Sequence, residues 1–231
     1  MPVFVGATAP ATRAAVNYAR QAEALGADML MVAAPYVFHA TQAELLDYYK
    51  AISDACSLPI ILQDVPESDA LLSVDLICQM YEEIEHVHYV KAEGKDFISK
   101  SAALMGRMGG RMGVIGGAGG RHMIHLLRVG VTSFMTGTEA LDLHAAVVRA
   151  YLGGDEDKAA RLYCERLLPY LTFYSEHNRE LLKYMLWRRG VIDCPKVIPP
   201  VGSPPMSEIK WREFEWVLQR VGLTSRWPDI G

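Results

Sequence analysis

The sequence predicts an α/β protein: a parallel sheet covered by helices, followed by a region that contains helices alone. Short apolar segments alternate with longer segments of helical period over about the first two thirds of the chain, which is typical of repeated βα units. Most of the short segments are continuously apolar, as strands are when both faces of a parallel sheet are buried. From about Gly153 only the helical pattern continues. We therefore predict two domains, residues 1–152 and residues 153–231.

The strand pattern occurs in six segments, each bounded by glycine, proline or polar residues. In chain order they are Val3–Gly6, Met29–Ala33, Ile60–Gln63, Val87–Lys91, Met112–Ile115 and Thr132–Thr136. Amphipathic helices are predicted between them. The first, "TRAAVNYARQAEALG", ends at Gly26, which can take the left-handed conformation, and the segment "SVDLICQMYEEI" begins with Ser73 as a helix N-cap. The first helix places one apolar stripe on a single face: Ala15, Tyr18, Ala22 and Leu25.

The C-terminal region carries three predicted helical segments, "DEDKAARLYCERLLPYLTFY", "SEHNRELLKYMLWRRG" and "SEIKWREFEWVLQRVG". A proline-rich connector, "CPKVIPPVGSPP", precedes the last of them. A doubly wound dinucleotide-binding sheet is disfavoured, because no GxGxxG fingerprint occurs and His122 stands where the third glycine would be. The run "GGAGG" can hold an anion through backbone N–H groups, or it can be a tight turn that needs positive φ angles.

Composition excludes several classes of function. The 231 residues are 51% hydrophobic and carry a formal net charge of -4, which argues against a nucleic-acid surface because phosphate binding needs clustered Lys and Arg. The longest apolar run, Met29 to Phe38, is too short to span a bilayer, and the N-terminus lacks a secretion signal. Four widely spaced cysteines without a CxxC pair indicate reduced thiols and a cytoplasmic location.

Lys91 is the candidate catalytic residue. It ends the fourth predicted strand, in "HVHYVKAEG", and by the alternation of side chains it shares a face with Val87 and Tyr89. In a barrel the carboxyl ends of the strands carry the chemistry. A lysine partly desolvated there can attack a ketone as the free amine and form a Schiff base. The structural alternative is a lysine that reaches solvent or pairs with a carboxylate such as Glu93.

The residues from Val3 to about Leu152 resemble the dihydrodipicolinate synthase / N-acetylneuraminate lyase family of (β/α)8 Schiff-base lyases. The resemblance rests on the Pro-Tyr pair in "APYVF", the Val-Pro pair in "LQDVP", the lysine of "YVKAEG" 28 residues beyond Gln63, and "GVIGGAGG". It implies a TIM (β/α)8-type barrel, here incomplete with six βα units. The family's barrel begins two units earlier, so we expect two exposed sheet edges and an apolar lumen, which favour aggregation or pairing with another chain.

The resemblance also implies roles for individual residues. Lys91 matches the imine-forming lysine, and Tyr36 matches the first tyrosine of a stretch that helps relay protons. Gln63 stands where the family usually has its catalytic tyrosine, and a carboxamide can hydrogen-bond but cannot serve as a general acid or base. The proton carrier must then be another group, with Tyr36, Glu93, Asp64 or an ordered water held by them as candidates. The residues expected to line the substrate pocket are Gln63, Glu93, Gly116, Gly117 and Ser133.

The resulting prediction is a Schiff-base lyase, an aldolase or a dehydratase, that acts on pyruvate-related 2-keto acids or 2-keto-3-deoxy sugar acids. No cofactor or metal is expected, because no carboxylate or cysteine completes a metal site with His122 and His125. By resemblance the chain forms a homo-oligomer, a tetramer or a dimer. Two alternatives remain open: a truncated, catalytically silent paralogue that acts as a subunit or scaffold, and a phosphate-binding barrel fragment that uses "GGAGG".

Overall fold

A computed structural model of the chain describes residues 2–37, 39–65, 72–199 and 205–223, without the side chains of residues 174–179. The chain packs as two compact units. The first contains Met1–Gly117 and Arg128–Met135, and the second contains Ala118–Leu127 and Thr136–Gly231. The division into domains 1–152 and 153–231 stays a prediction.

The first unit is built on a parallel sheet of six strands whose order in space, β1-β2-β3-β4-β5-β6, follows their order in the chain. The strands are β1 Phe4–Gly6, β2 Met29–Ala33, β3 Ile60–Asp64, β4 Val87–Ala92, β5 Gly113–Gly116 and β6 Ser133–Phe134. All six predicted strands are therefore confirmed. An order without reversal distinguishes a barrel-type sheet from a doubly wound one, so the fold is the predicted α/β architecture, an incomplete TIM-type barrel with six strands.

The helices between these strands begin and end largely where local sequence signals predict. They are α1 Thr12–Ala24, α2 Gln42–Ser53, α3 Val74–Glu83 and α4 Phe97–Met108. The Ser73 hydroxyl accepts a hydrogen bond from the Leu76 N–H (3.1 Å), which confirms the predicted N-cap of α3. Gly26 follows α1 at a φ of +82°, as expected of a residue that ends a helix.

The buried face of α1 differs from the predicted one. Ala15, Ala19 and Ala22 are buried, whereas Tyr18 and Leu25 are 49% and 87% exposed. These two side chains lie beside a shallow groove that is also lined by Val3 and Val5 of the β1 region. Strand β1 is an edge strand of the described sheet and has a neighbouring strand, β2, on one side. An exposed edge of the kind expected from the sequence is therefore found at β1.

Strand β4 contains an irregularity that changes which side chains share a face. Ile60 pairs with Val87, but Ile61 pairs with Tyr89, so His88 is an additional residue on β4, as in a β-bulge. The prediction that Lys91 shares a face with Val87 is therefore wrong. Val87 lies on the same side as Ile60, while Tyr89 and Lys91 continue the opposite side.

The two faces of the sheet differ in burial. On one, the buried face, the central side chains Leu30, Val32, Leu62 and Val90 are all 0% exposed. The other, which we call the site face, carries a row of paired residues that runs across five strands. This Lys91 row consists of Ala33, Gln63, Lys91, Ile115 and Ser133. Because the row lies at or next to the last residues of its strands, it marks the carboxyl edge of the sheet, where parallel α/β proteins place their sites.

The second unit is helical. It contains a 3-10 turn at Ala118–Gly120, most of α5 Met123–Arg128, then α6 Leu141–Leu152, α7 Glu156–Arg161, a π-helical segment Leu162–Leu167, α8 Leu168–Arg188 and α9 Glu208–Val221. The first two predicted helical segments, which meet after Tyr174, are joined in the structure, since α8 runs through that point. The π-helical segment instead ends just before Pro169, which lacks the N–H that a regular α-helix would use at that point. Of the proline-rich connector, residues 200–204 lie outside the described residues.

A buried polar cluster lies in this second unit, at the start of α6. Arg189 bonds both carboxylate oxygens of Asp142 at 2.6 and 2.9 Å, and Tyr170 donates to Glu139 Oε1 at 3.1 Å. Glu139 Oε2 is buried, and among the described residues it has no hydrogen-bond partner. Burial raises the pKa of the Glu139 carboxyl. Across the described helices, none combines the length and the apolar character needed to cross a membrane.

Candidate active site

Lys91 occupies the fifth position of β4 and is 9% exposed. Its neighbours in the Lys91 row are Gln63 on β3 and Ile115 on β5. The ammonium nitrogen lies 2.9 Å from Glu93 Oε2. The structure thus shows the carboxylate pairing that the sequence left open, and it holds this lysine at the carboxyl edge of the sheet, largely shielded from water.

Glu93 is held in place by its backbone and by its side chain. Its N–H donates to the Asp64 carbonyl oxygen (3.1 Å), which extends the β3–β4 ladder by one residue. The Gln63 amide donates from Nε2 to Glu93 Oε2 at 3.1 Å. The same carboxylate oxygen therefore accepts from both Gln63 and Lys91, because residues two apart on an extended strand project from the same face.

Gly117 provides the space that the Glu93 carboxylate occupies. A Cβ atom at this position would lie 2.3 Å from Glu93 Cγ, 2.4 Å from Oε1 and 2.5 Å from Cδ, so any larger residue would displace the side chain. Gly116, which precedes it, is buried at the end of β5, and its carbonyl oxygen accepts the Met135 N–H at 2.9 Å. Both predicted pocket glycines thus lie at the carboxyl edge, and Gly117 contacts the acidic side chain directly.

Two other predicted site residues lie apart from this cluster. Ser133 begins β6, where it is exposed at the end of the Lys91 row. Tyr36 follows β2 on a loop and is 62% exposed. Among the described residues, no hydrogen bond joins Tyr36 to Lys91 or Glu93. The structure therefore brings together Lys91, Gln63, Glu93 and Gly117, and it does not bring Tyr36 into the cluster. The roles of all these residues in substrate binding and catalysis stay predictions.

Asp64, a third candidate proton carrier, is engaged elsewhere. It is 2% exposed, and its Oδ2 lies 2.5 Å from Lys100 Nζ on α4. Its Oδ1 accepts the Leu72 N–H (3.1 Å), and Lys100 also donates to the Leu72 carbonyl oxygen (2.8 Å). The sequence analysis missed Lys100, because a lysine within an amphipathic helix gives no signal that separates it from a solvent-facing one. Together these groups fix the chain where it enters α3.

Two further sequence motifs are the "GGAGG" run and the pair of histidines that follows it. Gly119 and Gly120 of "GGAGG" have φ angles of +64° and +84°, and Ala118 has a φ of +52°, as the tight-turn interpretation requires. The rings of His122 and His125 are 6.2 Å apart. Within the described part of the chain, no group of three His, Cys, Asp or Glu residues is placed to hold a metal ion.

Comparison with known proteins extends these observations. A sequence model of the dihydrodipicolinate synthetase family matches residues 1–220. The chain is 31% identical over 196 residues to the L-2-keto-3-deoxyarabonate dehydratase of Azospirillum brasilense, and 32% identical over 233 residues to a 4-hydroxy-tetrahydrodipicolinate synthase of Methylobacterium radiotolerans. The crystal structure of a dihydrodipicolinate synthase from Rhodopseudomonas palustris superposes with a TM-score of 0.85 at 24% identity, which shows the shared fold.

These alignments cover most of this chain and a smaller part of each relative. They include 82% of the chain and 62% of the dehydratase, 96% of the chain and 74% of the synthase, and 95% of the chain and 75% of the crystallised protein. The match of the family model to nearly the whole chain agrees with the barrel-type order of the strands. The chain belongs to the dihydrodipicolinate synthetase family.

Proposed function

We propose that this protein is a lyase of the class I aldolase type, in which Lys91 forms a Schiff base with a 2-keto acid. The substrates proposed are pyruvate-related 2-keto acids and 2-keto-3-deoxy sugar acids, and the reaction is an aldol cleavage or a dehydration. The observation that carries the proposal is the position of Lys91, a buried lysine at the carboxyl edge of a barrel-type sheet. The chain belongs to the dihydrodipicolinate synthetase family and is similar to a 2-keto-3-deoxyarabonate dehydratase, which supports the same chemistry.

The chemistry follows from the arrangement of groups. The Lys91 amine adds to the C2 carbonyl of the keto acid, and water leaves as the protonated imine forms. The positive nitrogen accepts, through C2, the electron pair of a bond that breaks at C3. That bond therefore breaks more easily, and a hydroxyl on C4 can leave afterwards. Gln63 and Ser133, in the Lys91 row, together with the backbone of Gly116 and Gly117, are the proposed substrate contacts. Tyr36 is a proposed second catalytic group, to be reached by the bound substrate, since its loop leaves the phenol exposed.

Reductive trapping tests the proposal. The protein is incubated with pyruvate and borohydride, digested, and analysed by mass spectrometry. We expect reduced pyruvate on the peptide that contains Lys91, and no label there in Lys91→Arg, because a guanidinium does not form an imine under these conditions. Lys95→Arg is the matched control, since Lys95 is an exposed lysine four residues further along, and it should be labelled at Lys91 like the unmodified protein. An unlabelled Lys91, under conditions that label the Azospirillum brasilense dehydratase, would contradict the proposal.

A non-catalytic subunit is the second candidate, and one observation favours it. Val3, Phe4 and Val5 at the β1 edge are 53%, 41% and 37% exposed, which is unusual for consecutive apolar residues in a strand region. We propose that the chain assembles as a homo-oligomer, and light scattering coupled to size-exclusion chromatography tests this. A stable homomer without carbonyl trapping would favour the non-catalytic candidate. A cytoplasmic location is proposed from the four unpaired cysteines, of which Cys56 and Cys78 are buried and Cys164 and Cys194 are exposed.

A further inference from the structure

We propose that Glu93 is the group that moves the proton at C3 of the Lys91-bound substrate, and that Gln63 and Gly117 hold it in position for this step. The inference rests on the proposed Schiff base at Lys91 and assigns the catalytic step that follows it. The substrate class is a 2-keto acid with at least one hydrogen on C3.

The Glu93 carboxylate lies close to the atom of Lys91 that would form the imine. Glu93 Oε2 lies 2.9 Å from Lys91 Nζ, within the range over which a side chain acts as a general acid or base. Once Nζ is part of an imine, C3 of the substrate is two covalent bonds away from it. A carboxylate oxygen in contact with the nitrogen is therefore next to the C3 hydrogens, without a change in the backbone.

Glu93 and Gln63 differ in whether their side chains can carry a proton. A carboxylate can accept a proton and a carboxylic acid can return it, whereas the neighbouring carboxamide of Gln63 can do neither. Gln63 donates to the oxygen that faces Lys91 (3.1 Å), so it directs one oxygen of Glu93 toward the nitrogen. Glu93 is also partly buried, and exclusion of water strengthens its interaction with a positive imine.

The space beside Gly117 is occupied by the Glu93 side chain. The Glu93 side chain fills the space that any Cβ at position 117 would occupy, at 2.3 to 2.5 Å from three of its atoms. Gly117 does not have a positive φ, so the backbone itself does not require glycine there. The absent side chain is explained by the space that Glu93 needs, and this makes Gly117 a positioning residue for the carboxylate.

The proposed step is balanced as follows. The Glu93 carboxylate removes one proton from C3 of the protonated imine, and the electrons of the broken C–H bond form the C2–C3 double bond. The nitrogen becomes neutral, giving an enamine, and Glu93 becomes a carboxylic acid. In the reverse step the acid returns a proton to C3. When C4 carries a hydroxyl, the same acid can instead protonate it, so that the hydroxyl leaves as water and a conjugated imine remains.

Exchange of the methyl hydrogens of pyruvate in D2O, followed by proton NMR, measures this step separately from imine formation. We expect Glu93→Gln to be trapped on Lys91 by borohydride like the unmodified protein, because the isosteric amide can still accept from the lysine. Its exchange rate should fall by about 100-fold or more, the usual contribution of a general base. Gly117→Ala keeps the carboxylate but displaces it, and should reduce exchange by about 10- to 100-fold with trapping retained. Glu85→Gln, at an exposed carboxylate before β4, is the matched control and should leave both measurements unchanged.

The outcomes separate the two proposals. If the unmodified protein is not trapped at Lys91, the Schiff-base function itself fails. If trapping is normal and Glu93→Gln exchanges the pyruvate hydrogens at the unmodified rate, the assignment of Glu93 is overturned while the function stands. Loss of trapping in Glu93→Gln alone would also overturn it, since the carboxylate would then serve imine formation. Normal exchange in Gly117→Ala would overturn the positioning role of Gly117.

Discussion

The Asp64–Lys100 ion pair, a buried polar contact of the first unit, should be costly to break. The perturbation is Lys100→Met, which keeps an unbranched apolar stem and removes the charge. Asp64 is 2% exposed, and its carboxylate lies 2.5 Å from Lys100 Nζ. Without the ammonium group, the carboxylate stays buried with the Leu72 N–H as its one partner in the described part of the chain, and the Leu72 carbonyl oxygen loses the Lys100 donor.

The expected magnitude follows from that geometry. Removing one partner of a buried ion pair costs about 3–5 kcal/mol, because an uncompensated charge is left in the interior. Asp64→Asn should cost about 1–3 kcal/mol, since the amide oxygen can still accept the Leu72 N–H. The double variant leaves no buried charge and should also cost only about 1–3 kcal/mol. Its cost is therefore well below the sum of the two single variants, and the difference is a coupling of about 3–5 kcal/mol, as for residues in direct contact.

Urea unfolding followed by far-ultraviolet circular dichroism measures these differences. With a denaturant dependence of about 2 kcal/mol per molar urea, Lys100→Met should lower the transition midpoint by about 2 M. Amide hydrogen exchange adds a local measurement, because the Leu72 N–H should lose protection in Lys100→Met and recover part of it in the double variant. Additive costs in the double variant, or a midpoint in Lys100→Met within about 0.3 M of the unmodified protein, would refute the reasoning.

Two further predictions concern other parts of the molecule. Burial raises the folded-state pKa of Glu139, so its contribution to stability is fully present below the unfolded-state value of 4.5 and is lost as pH rises through the folded-state value. Urea unfolding followed by tryptophan fluorescence should therefore find Glu139→Gln more stable than the unmodified protein at pH 7, by a margin that shrinks toward about pH 4.5. A margin independent of pH would contradict this prediction. The buried His144, whose pKa is lowered by burial, contributes in the opposite direction but equally in both proteins, so its contribution cancels in the difference. Gly113→Ala should destabilise the first unit by about 1–3 kcal/mol, because its Cβ would lie 2.3 Å from Tyr89 Cδ1. Thermal unfolding followed by circular dichroism measures this difference. Gly106→Ala in α4, where a Cβ meets nothing within 4 Å, is the control and should be neutral or slightly stabilising.

The sequence was sufficient to predict the strands, because each is a short apolar run between strong turn signals. Their predicted ends differ from the observed ones by at most two residues, and the pairing of Lys91 with Glu93 follows from their separation of two on an extended strand. Helix ends marked by a cap, such as Ser73, were also predictable from local chemistry. These features are encoded within a few residues of the chain.

Features that depend on distant parts of the chain were not predictable. The face that α1 buries depends on the elements it packs against, and the small Ala19 is buried where the pattern had placed Tyr18. The Asp64–Lys100 pair joins residues 36 apart, and neither residue shows its partner in its local sequence. The space beside Gly117 is visible only once Glu93 is placed. Tyr36 was assigned from its motif, but its distance from the cluster depends on how the loop after β2 runs.

The additional residue in β4 means that the candidate site depends on the register of the strand as well as on its residue types. Upstream of His88 the strand turns Val87 toward the buried face, and downstream the alternation restarts with Tyr89 and Lys91 on the site face. If the alternation ran unbroken through His88, Val87 on the buried face would put Lys91 and Glu93 on that face as well, where neither a charge nor a substrate could be accommodated. Removal of His88 itself would place Tyr89 next to Val87 and leave Lys91 on the site face. The irregularity is therefore what lets this strand turn Val87 to one face and Lys91 to the other, and an alignment of this family should allow a gap at His88.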